Sequence, residues 1–268
     1  MMLATGTVEY TLGTAPITGC GMSYTTSELE SALAGPVAEV IFDDAGTADL
    51  TNILSGLPST EFNPECVKRV LENNREHESW RVGEALAESY LTHHRTCTFP
   101  WPDGRDERKS GSSLPGADLV GIHCDGVTER FAFGEVKTSS ENKYPPGAMY
   151  GRTGLKQQLE DLRDKVGIRD DLVKYLWHRA VNASWKDKFI NAFKRYNTDN
   201  ADVGLFGVLL RDVEPHEDDL RARVGKLGED CPQPMSIELL ALYMPSGSIG
   251  SLGEKVLAMR AGVAHDDQ

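Results

Sequence analysis

The residues with the clearest chemical potential are Asp118 and the acid-X-lysine triplet Glu135-Val136-Lys137. They lie at the two ends of the stretch GADLVGIHCDGVTERFAFGEVKTS, in which two apolar-rich runs flank Asp125-Gly126. Asp-Gly between two such runs is a strong signal for a β-hairpin. The sequence therefore predicts strands over 117–124 and 130–138, with an acid at the start of the first and the triplet at the end of the second.

This arrangement suits a metal-dependent phosphodiesterase site. Side chains alternate along a strand, so Glu135 and Lys137 are expected on one side, facing Asp118 across the hairpin. A divalent cation held by carboxylates can activate water and neutralise charge at a phosphate. We expect Asp118 and Glu135 to bind Mg²⁺, with Mn²⁺ as a substitute and the backbone carbonyl of Val136 as a further ligand. Lys137 would orient the water or offset negative charge in the transition state.

A fourth candidate is Glu84, in a helix predicted over 78–94. Trp80, Glu84, Ala87 and Leu91 share one helical stripe. A lone carboxylate on a largely apolar face is costly unless something pairs with it. We therefore expect Glu84 to complete or support the metal shell. The alternative is a peripheral Glu84 that pairs with Arg81 or with solvent.

Each signal is weak alone, because Glu-X-Lys is also common on exposed strands. Their order is more specific: a helix with a carboxylate on its apolar stripe, two strands with the acids and lysine, and a helix that carries Gln158. This combination favours catalysis over unrelated surface charges.

The same residues resemble the PD-(D/E)xK nuclease superfamily, with Glu84, Asp118, Glu135 and Lys137 as its motif residues. The stretch FGEVKTSSENKYPPGAMYGRTGLKQQLEDL, with GEALAE upstream, resembles a narrower group, the HamA-like nuclease subunits of the Hachiman anti-phage system and the related AbpA proteins. Gln158 matches a helix glutamine of some superfamily branches. However, Leu162 stands where a tyrosine is expected, which favours a hydrogen-bonding role for Gln158 at the edge of the core.

The resemblance implies a Mg²⁺-dependent endodeoxyribonuclease with a restriction-endonuclease-like core, acting on DNA as the effector of a defence complex. Its implied partner is a superfamily-two helicase, called HamB in that system. The helicase would sense aberrant DNA, and the nuclease would be restrained until release. Two alternatives are a repair or recombination nuclease without a defence partner, and a non-catalytic module that binds DNA or a helicase.

Composition and charge indicate the cellular compartment and the distribution of charge along the chain. The chain has 268 residues, five scattered cysteines and a formal net charge of −13. It has neither an apolar run of membrane-spanning length nor a signal-peptide pattern, so we expect a cytoplasmic protein with free thiols and no membrane partner. Residues 141–195 carry twelve Lys/Arg and seven Asp/Glu. This locally positive segment could guide a phosphate backbone, or could be an ordinary solvated helix surface.

The pattern of elements predicts an α/β fold, a mixed central sheet with helices on both faces. We expect residues 1–75 to be an N-terminal addition packed on the core and residues 76–268 to be the nuclease domain. Trp177, Trp185, Phe189 and Phe193 are expected in the core. The other expected elements are edge strands within 1–24, helices over 26–33, 49–57, 63–73 and 155–166 (ended by Gly167), strands over 36–42, 96–101, 203–210 and 236–243, polar segments over 43–46, 103–115 and 214–231, a helical region over 170–196 broken near 182–184, and a closing helix over 251–260.

Overall fold

The computed structural model describes residues 2–55, 77–102, 105, 116–126 and 128–266. They form an α/β fold in which helices flank a seven-stranded mixed sheet. The strands are β1 (Thr7–Thr14), β2 (Ile17–Ser23), β3 (Cys97–Thr98), β4 (Leu119–Cys124), β5 (Glu129–Ser139), β6 (Val203–Arg211) and β7 (Ser236–Tyr243). The helices are α1 (Thr26–Ala34), α2 (Pro36–Phe42), α3 (Asp44–Ser55), α4 (Ser79–His94), α5 (Leu155–Asp164), α6 (Val166–Ala180), α7 (Lys186–Thr198), α8 (Arg221–Gly228) and α9 (Leu252–Asp266).

The sheet has a parallel centre and antiparallel edges, in the order β1-β2-β7-β6-β5-β4-β3. Strands β2, β7, β6 and β5 pair in parallel, whereas β1 pairs antiparallel with β2 and β3–β4–β5 form an antiparallel meander. Every residue of β6 is buried. Such a continuous apolar strand is typical of a parallel sheet with both faces covered.

Each face of the sheet has its own hydrophobic core. On one face, residues of β5 to β7 such as Val136, Leu210 and Leu242 pack with side chains of α1, α2, α4 and α9. On the other, Phe131, Phe133 and their neighbours pack with α5, α6, α7 and α8. Alternation along β5 thus assigns even-numbered side chains to the α4 face and odd-numbered ones to the α5 face.

The end of β5 is held by one buried arginine. Arg211, at the end of β6, is fully buried and donates hydrogen bonds to the carbonyls of Ser139, Glu141 and Lys143 at 2.8–3.0 Å. It also pairs with buried Asp219 at 3.2 Å. These bonds satisfy backbone carbonyls at the point where β5 ends and fix the loop that follows Lys137.

The first 55 residues belong to the same sheet and core as the rest. β2 pairs with β7 along its whole length, and Leu29, Leu33 and Val37 share a core with Leu86 and Tyr90 of α4. The helix expected over 26–33 and the strands expected within residues 1–24 are confirmed. Of these two strands, however, only β1 is an edge strand of the described sheet, because β2 lies between β1 and β7. The helix expected over 63–73 lies outside the described residues.

The strand expected over 36–42 is wrong, because α2 occupies that range. Its first residue, Pro36, has a fixed φ that suits the first turn of a helix, and Pro36, Val37 and Ala38 are buried. A short apolar run does not distinguish a strand from a buried helix. The turn expected over 43–46 is also wrong beyond Asp43, since α3 begins at Asp44.

The helix stop expected at Gly167 is wrong as well. Helix α5 ends at Asp164, and Gly167 lies in the first turn of α6. Buried Arg169 donates to the carbonyls of Leu162 and Arg163 at 2.6 and 2.7 Å, which satisfies the last turn of α5. An arginine from the next helix thus replaces a glycine cap.

The remaining expectations differ mainly in length and exposure. The strand over 96–101 shortens to Cys97–Thr98, and the connection over 214–231 contains α8. The break near 182–184 is confirmed between α6 and α7. Trp177 is 55% exposed, so its expected core position is wrong.

Two observations bear on the expectation of free thiols and of no membrane-spanning segment. The cysteines that the structure describes are unpaired: Cys20, Cys97, Cys124 and Cys231. In the described part of the chain, no helix combines the length and apolarity needed to cross a bilayer.

Replacing Arg211 should strongly destabilise the protein. Arg211→Met leaves Asp219 buried without its cation and three carbonyls without their donor, a loss on the order of 3–5 kcal/mol. The free energy of unfolding in urea measures it. Arg221→Met is the matched control, because Arg221 pairs with Glu217 and Asp218 at an exposed site and should cost less than about 1 kcal/mol. Equal losses would contradict the role assigned to Arg211.

Candidate active site

The hairpin that carries the predicted site is present in the structure. Strands β4 and β5 pair antiparallel from Leu119 opposite Gly134 to Cys124 opposite Glu129. Gly126 lies in the connecting turn with φ +89°, a conformation that glycine adopts readily. The predicted strands are confirmed with their boundaries shifted by one or two residues.

The candidate site lies where β4 separates from β5. The last registered pair is Leu119 with Gly134, while β5 continues beside β6 to Ser139. The backbone N–H of Val136 donates to Asp118 Oδ2 at 2.8 Å. The Asp118 carboxylate thus accepts a hydrogen bond from a β5 amide beyond the last residue pair with β4. This bond places Asp118 beside the Glu135-Val136-Lys137 triplet.

Three of the four predicted side chains meet at this point. Lys137 Nζ lies 3.3 Å from Asp118 Oδ2 and 3.3 Å from Glu135 Oε2. The side chain of Glu135 is only 2% exposed, whereas those of Asp118 and Lys137 are 18% and 21% exposed. One cation therefore bridges two carboxylates, one of which is fully buried.

Burial makes the charged form of Glu135 unfavourable. Desolvation, reinforced by the negative charge of Asp118 and a hydrogen bond to it, raises the pKa of Glu135 to about 9. Lys137 acts in the opposite direction but does not compensate. With this pKa, Glu135 is protonated at neutral pH. A bound divalent cation would instead stabilise both acids in their ionised forms.

The donor set suits a hard cation. Among the described residues, no three His, Cys, Asp or Glu side chains converge as a metal-binding group. The residues that could hold a cation here are Asp118 and Glu135, through two carboxylates, with the carbonyl of Val136 and water as further ligands. Magnesium is commonly bound by one or two carboxylates with several waters retained, whereas structural zinc needs four closed ligands.

Glu84 does not join this group directly. Its carboxylate pairs with Arg81 at 3.0 Å, the alternative that the sequence left open. It nevertheless lines a crevice of about 20 Å³ together with Glu88 and Asp118. Helix α4 lies close to β5 here, since a Cβ on Gly83 would come within 2.7 Å of Thr138 Oγ1.

The buried surface of α4 is wider than the apolar stripe that the sequence predicted. The buried residues of the helix cover most of its circumference and include Val82, Ala85, Leu86 and Tyr90. Trp80, which the stripe placed in the core, is half-buried, as is Glu84. The position of Glu84 at the margin of the buried surface explains how it reaches both Arg81 and the crevice beside Asp118.

A larger cleft opens on the other side of Glu135. It has a volume of about 580 Å³. Its walls include residues of β5, of the turn before α5, and of α5 and α6. Among them are Glu135, Arg152, Gln158, Leu162, Leu172 and Tyr175. Pockets that accept small ligands have volumes of roughly 300–1,000 Å³. The cleft is therefore large enough for a ligand the size of a nucleotide, and Glu135 forms part of its wall.

Gln158 contributes to this cleft. Its Oε1 atom is buried and, among the described residues, has no hydrogen-bond partner. The sequence suggested a hydrogen-bonding residue at the core edge, and the edge position is correct. Gln158 thus combines a place in the cleft wall with a buried acceptor that is unsatisfied among the described residues, which is uncommon in folded proteins.

Two cleft residues were not found from the sequence. Arg152 lies in a glycine-rich turn, GRTG, and had no charge pattern of its own. Tyr175 reaches the cleft because α6 packs across α5, which no local pattern indicates. Asp161 and Asp171 also line the cleft. The wall is therefore mixed in charge, and the positive segment over 141–195 does not form a uniformly basic channel.

No protein-family model matches the chain, and no curated protein matches it. The function must therefore be argued from the local geometry and from the resemblance of the motif residues.

The buried carboxyl of Glu135 should leave a signature in the pH dependence of stability. The pKa is about 9 in the folded protein against an ordinary value near 4.5, so the folded state binds this proton more tightly. Its contribution to stability is complete below about pH 4.5 and is lost as the pH rises towards 9. Glu135→Gln lacks this loss. Without metal, it should match the wild type near pH 4.5 and exceed its free energy of unfolding by a few kcal/mol near pH 8.

Unfolding in EDTA at both pH values provides the measurement. Glu254→Gln, at an exposed position on α9, should behave like the wild type throughout. A Glu135→Gln variant that shows the same difference from wild type at both pH values would refute the burial argument.

Proposed function

We propose that this protein is a Mg²⁺-dependent endodeoxyribonuclease with a restriction-endonuclease-like PD-(D/E)xK core. The observation that carries the proposal is the convergence of Asp118, Glu135 and Lys137 where β4 leaves β5, with Lys137 Nζ 3.3 Å from both carboxylates. The order of helix α4, strands β4 and β5, helix α5 and strand β6 agrees with the resemblance.

In the proposed mechanism, Asp118 and Glu135 bind the cation, with the Val136 carbonyl as a third protein ligand. The bound cation supplies Lewis-acid activation of a water and neutralises charge on the phosphate. Lys137 donates hydrogen bonds from its ammonium. From this position the ammonium would orient the attacking water or stabilise the negative charge that develops on the phosphate oxygens.

The remaining residues would position the substrate and the ligands. Glu84 is proposed to support the shell through water in the crevice that it shares with Asp118. The cleft beside Glu135 would accept the scissile nucleotide, with Arg152 near the phosphate and Tyr175 against the sugar or base. The apolar wall formed by Leu162 and Leu172 would exclude bulk water.

A partner that delivers DNA is part of the proposal. The net charge of −13 repels a phosphate backbone, and Asp161 and Asp171 add negative charge at the cleft. Unaided binding to DNA should therefore be weak and sensitive to salt. Resemblance to the Hachiman and AbpA proteins supports a superfamily-two helicase as the partner and anti-phage defence as the biological role.

Loss of the lysine or the buried acid should abolish cleavage. Lys137→Ala and Glu135→Ala should each reduce the Mg²⁺-dependent cleavage of DNA by at least about 10²-fold, because each removes a group that acts on the reacting phosphate. The measurement is conversion of supercoiled plasmid to nicked, linear or degraded DNA by purified protein. Lys143→Ala, in the exposed loop after β5, is the control and should retain activity.

Cleavage that persists in both site variants would sink the nuclease assignment. If no variant or wild-type protein cleaves, calorimetric titration with Mg²⁺ separates a silent enzyme from a non-catalytic module. Binding that is lost in Glu135→Ala supports the metal site, and no binding in either protein contradicts it. Loss of phage protection in the same two variants tests the defence role.

The role of Glu84 is tested by comparison with its ion-pair partner. Glu84→Gln should lower the cleavage rate by about 10–100-fold if the carboxylate orients the metal shell. Arg81→Leu breaks the same ion pair but leaves the carboxylate in place. It should therefore affect stability modestly and the rate much less. Equal rates in both variants would show that Glu84 only forms a surface ion pair.

A further inference from the structure

A second surface of interest is the groove between α6 and α7. It has a volume of about 340 Å³ and is lined almost entirely by apolar side chains: Trp177, Val181, Phe189, Ile190 and Phe193, with Lys186 at its edge. Trp177 is 55% exposed, Val181 48% and Ile190 37%. Three large apolar residues are thus exposed together around one groove.

This exposure is unusual for a surface that contacts only water. Isolated exposed apolar residues are common, but contiguous patches typically mark sites of interaction. The base of the groove is well packed, because Phe189 stacks on Phe193 at 5.9 Å and Trp177 lies 6.1 Å from Phe193. Tryptophan at the centre of an apolar patch is the residue type most often responsible for binding energy at protein interfaces.

The rim of the groove is positively charged. Residues 172–198 contain six Lys/Arg and one Asp, in a protein whose net charge is −13. Lys174, Lys186 and Lys194 are exposed. Lys174 is three residues before Trp177 and Lys194 is four after Ile190, so both lie beside the exposed apolar side chains on their helices. Exposed Asp187, three residues before Ile190, lies beside them as well, so these three lysines face one acid and the rim has a net positive charge.

We propose that this groove binds an amphipathic helix of a partner protein, with an apolar face that enters the groove and acidic residues that meet the lysine rim. Helix-in-groove recognition uses apolar anchors at positions i, i+3, i+4 and i+7. The basic rim selects for acidic flanks and accelerates association. Among the described residues that line the groove, only Trp177 and Lys186 carry polar side-chain atoms. These two donors leave the acceptors and most donors of a nucleobase edge unpaired, and burying unpaired polar atoms costs free energy.

The charge of the rim also disfavours a symmetric contact between two copies of this chain. Such a contact places the same patch on both sides of the interface. The lysine rim of one protomer would then face the lysine rim of the other, and like charges would oppose association. A partner helix with acidic flanks would cover the apolar groove and place its carboxylates beside the lysines of the rim.

The position of the groove relates it to the cleft. Helix α6 contributes Leu172 and Tyr175 to the cleft beside Glu135 and Trp177 to the groove. A helix bound in the groove would therefore contact the same structural element that forms one wall of the cleft.

The test uses two labelled helical peptides of about 18 residues, with leucines at positions i, i+3, i+4 and i+7. One has glutamates flanking the apolar face and the other has lysines. Fluorescence anisotropy with the full-length protein should show tighter binding of the acidic peptide, by about tenfold or more. Trp177→Ala should weaken this binding at least tenfold. Tyr150→Ala, which removes another exposed aromatic away from the groove, is the matched control and should bind normally.

The charge requirement has its own variant. Lys174→Glu with Lys186→Glu should reverse the preference in favour of the lysine-flanked peptide, while circular dichroism confirms that the fold is retained. Equal binding of the two peptides by wild type, or no effect of Trp177→Ala, would overturn the proposal. Displacement of the acidic peptide by a single-stranded oligonucleotide would overturn it in favour of nucleic acid. A dimer that Trp177→Ala converts to a monomer would overturn it in favour of self-association.

Discussion

Strand β5 loses its antiparallel neighbour at Glu135, while parallel β6 accompanies it to Ser139. This divergence creates an unpaired edge just where the acid-X-lysine triplet lies. Asp118, the last residue before β4, accepts the free amide of Val136 and is thereby fixed against β5. The site is thus a consequence of sheet geometry, because the same separation exposes the edge and supplies the carboxylate that occupies it.

The cost of this arrangement is concentrated on Glu135. Its carboxyl group is buried beside a second acid, and burial raises its pKa to about 9. A buried acid that is only partly compensated by Lys137 is unfavourable for stability, and strongly perturbed acids of this kind are typical of functional sites. The proposed cation would stabilise the ionised form of Glu135 and so remove the unfavourable contribution of its buried charge. For the same reason, the two carboxylates and Lys137 act as one electrostatic unit.

The surrounding elements hold this unit from both faces and from its end. Helix α4 packs closely on β5 through Gly83 and brings Glu84 to the crevice beside Asp118. Arg211 ties the carbonyls after β5 to buried Asp219. On the other face, α5 and α6 form the cleft, and α6 continues to the apolar groove that we propose as a docking surface. A partner bound there would adjoin the cleft beside Glu135, because α6 contributes residues to both.

The hairpin, the buried strand β6 and the relation between Glu135 and Lys137 could all be predicted from the amino-acid sequence, because alternation along a strand and a glycine turn are local properties. The sequence could not determine whether PVAEVIF is a strand or helix α2, since a short apolar run is compatible with both. Nor could it show that Arg169 would end α5, that Trp177 would be exposed, or that Gln158 and Tyr175 would line a cleft with Glu135. Those outcomes depend on contacts between helices far apart in the chain. The hairpin also predicted that Asp118 faces Glu135 and Lys137. Packing around the sheet determined that Glu135 is buried and that Glu84 pairs with Arg81 at the edge of the site.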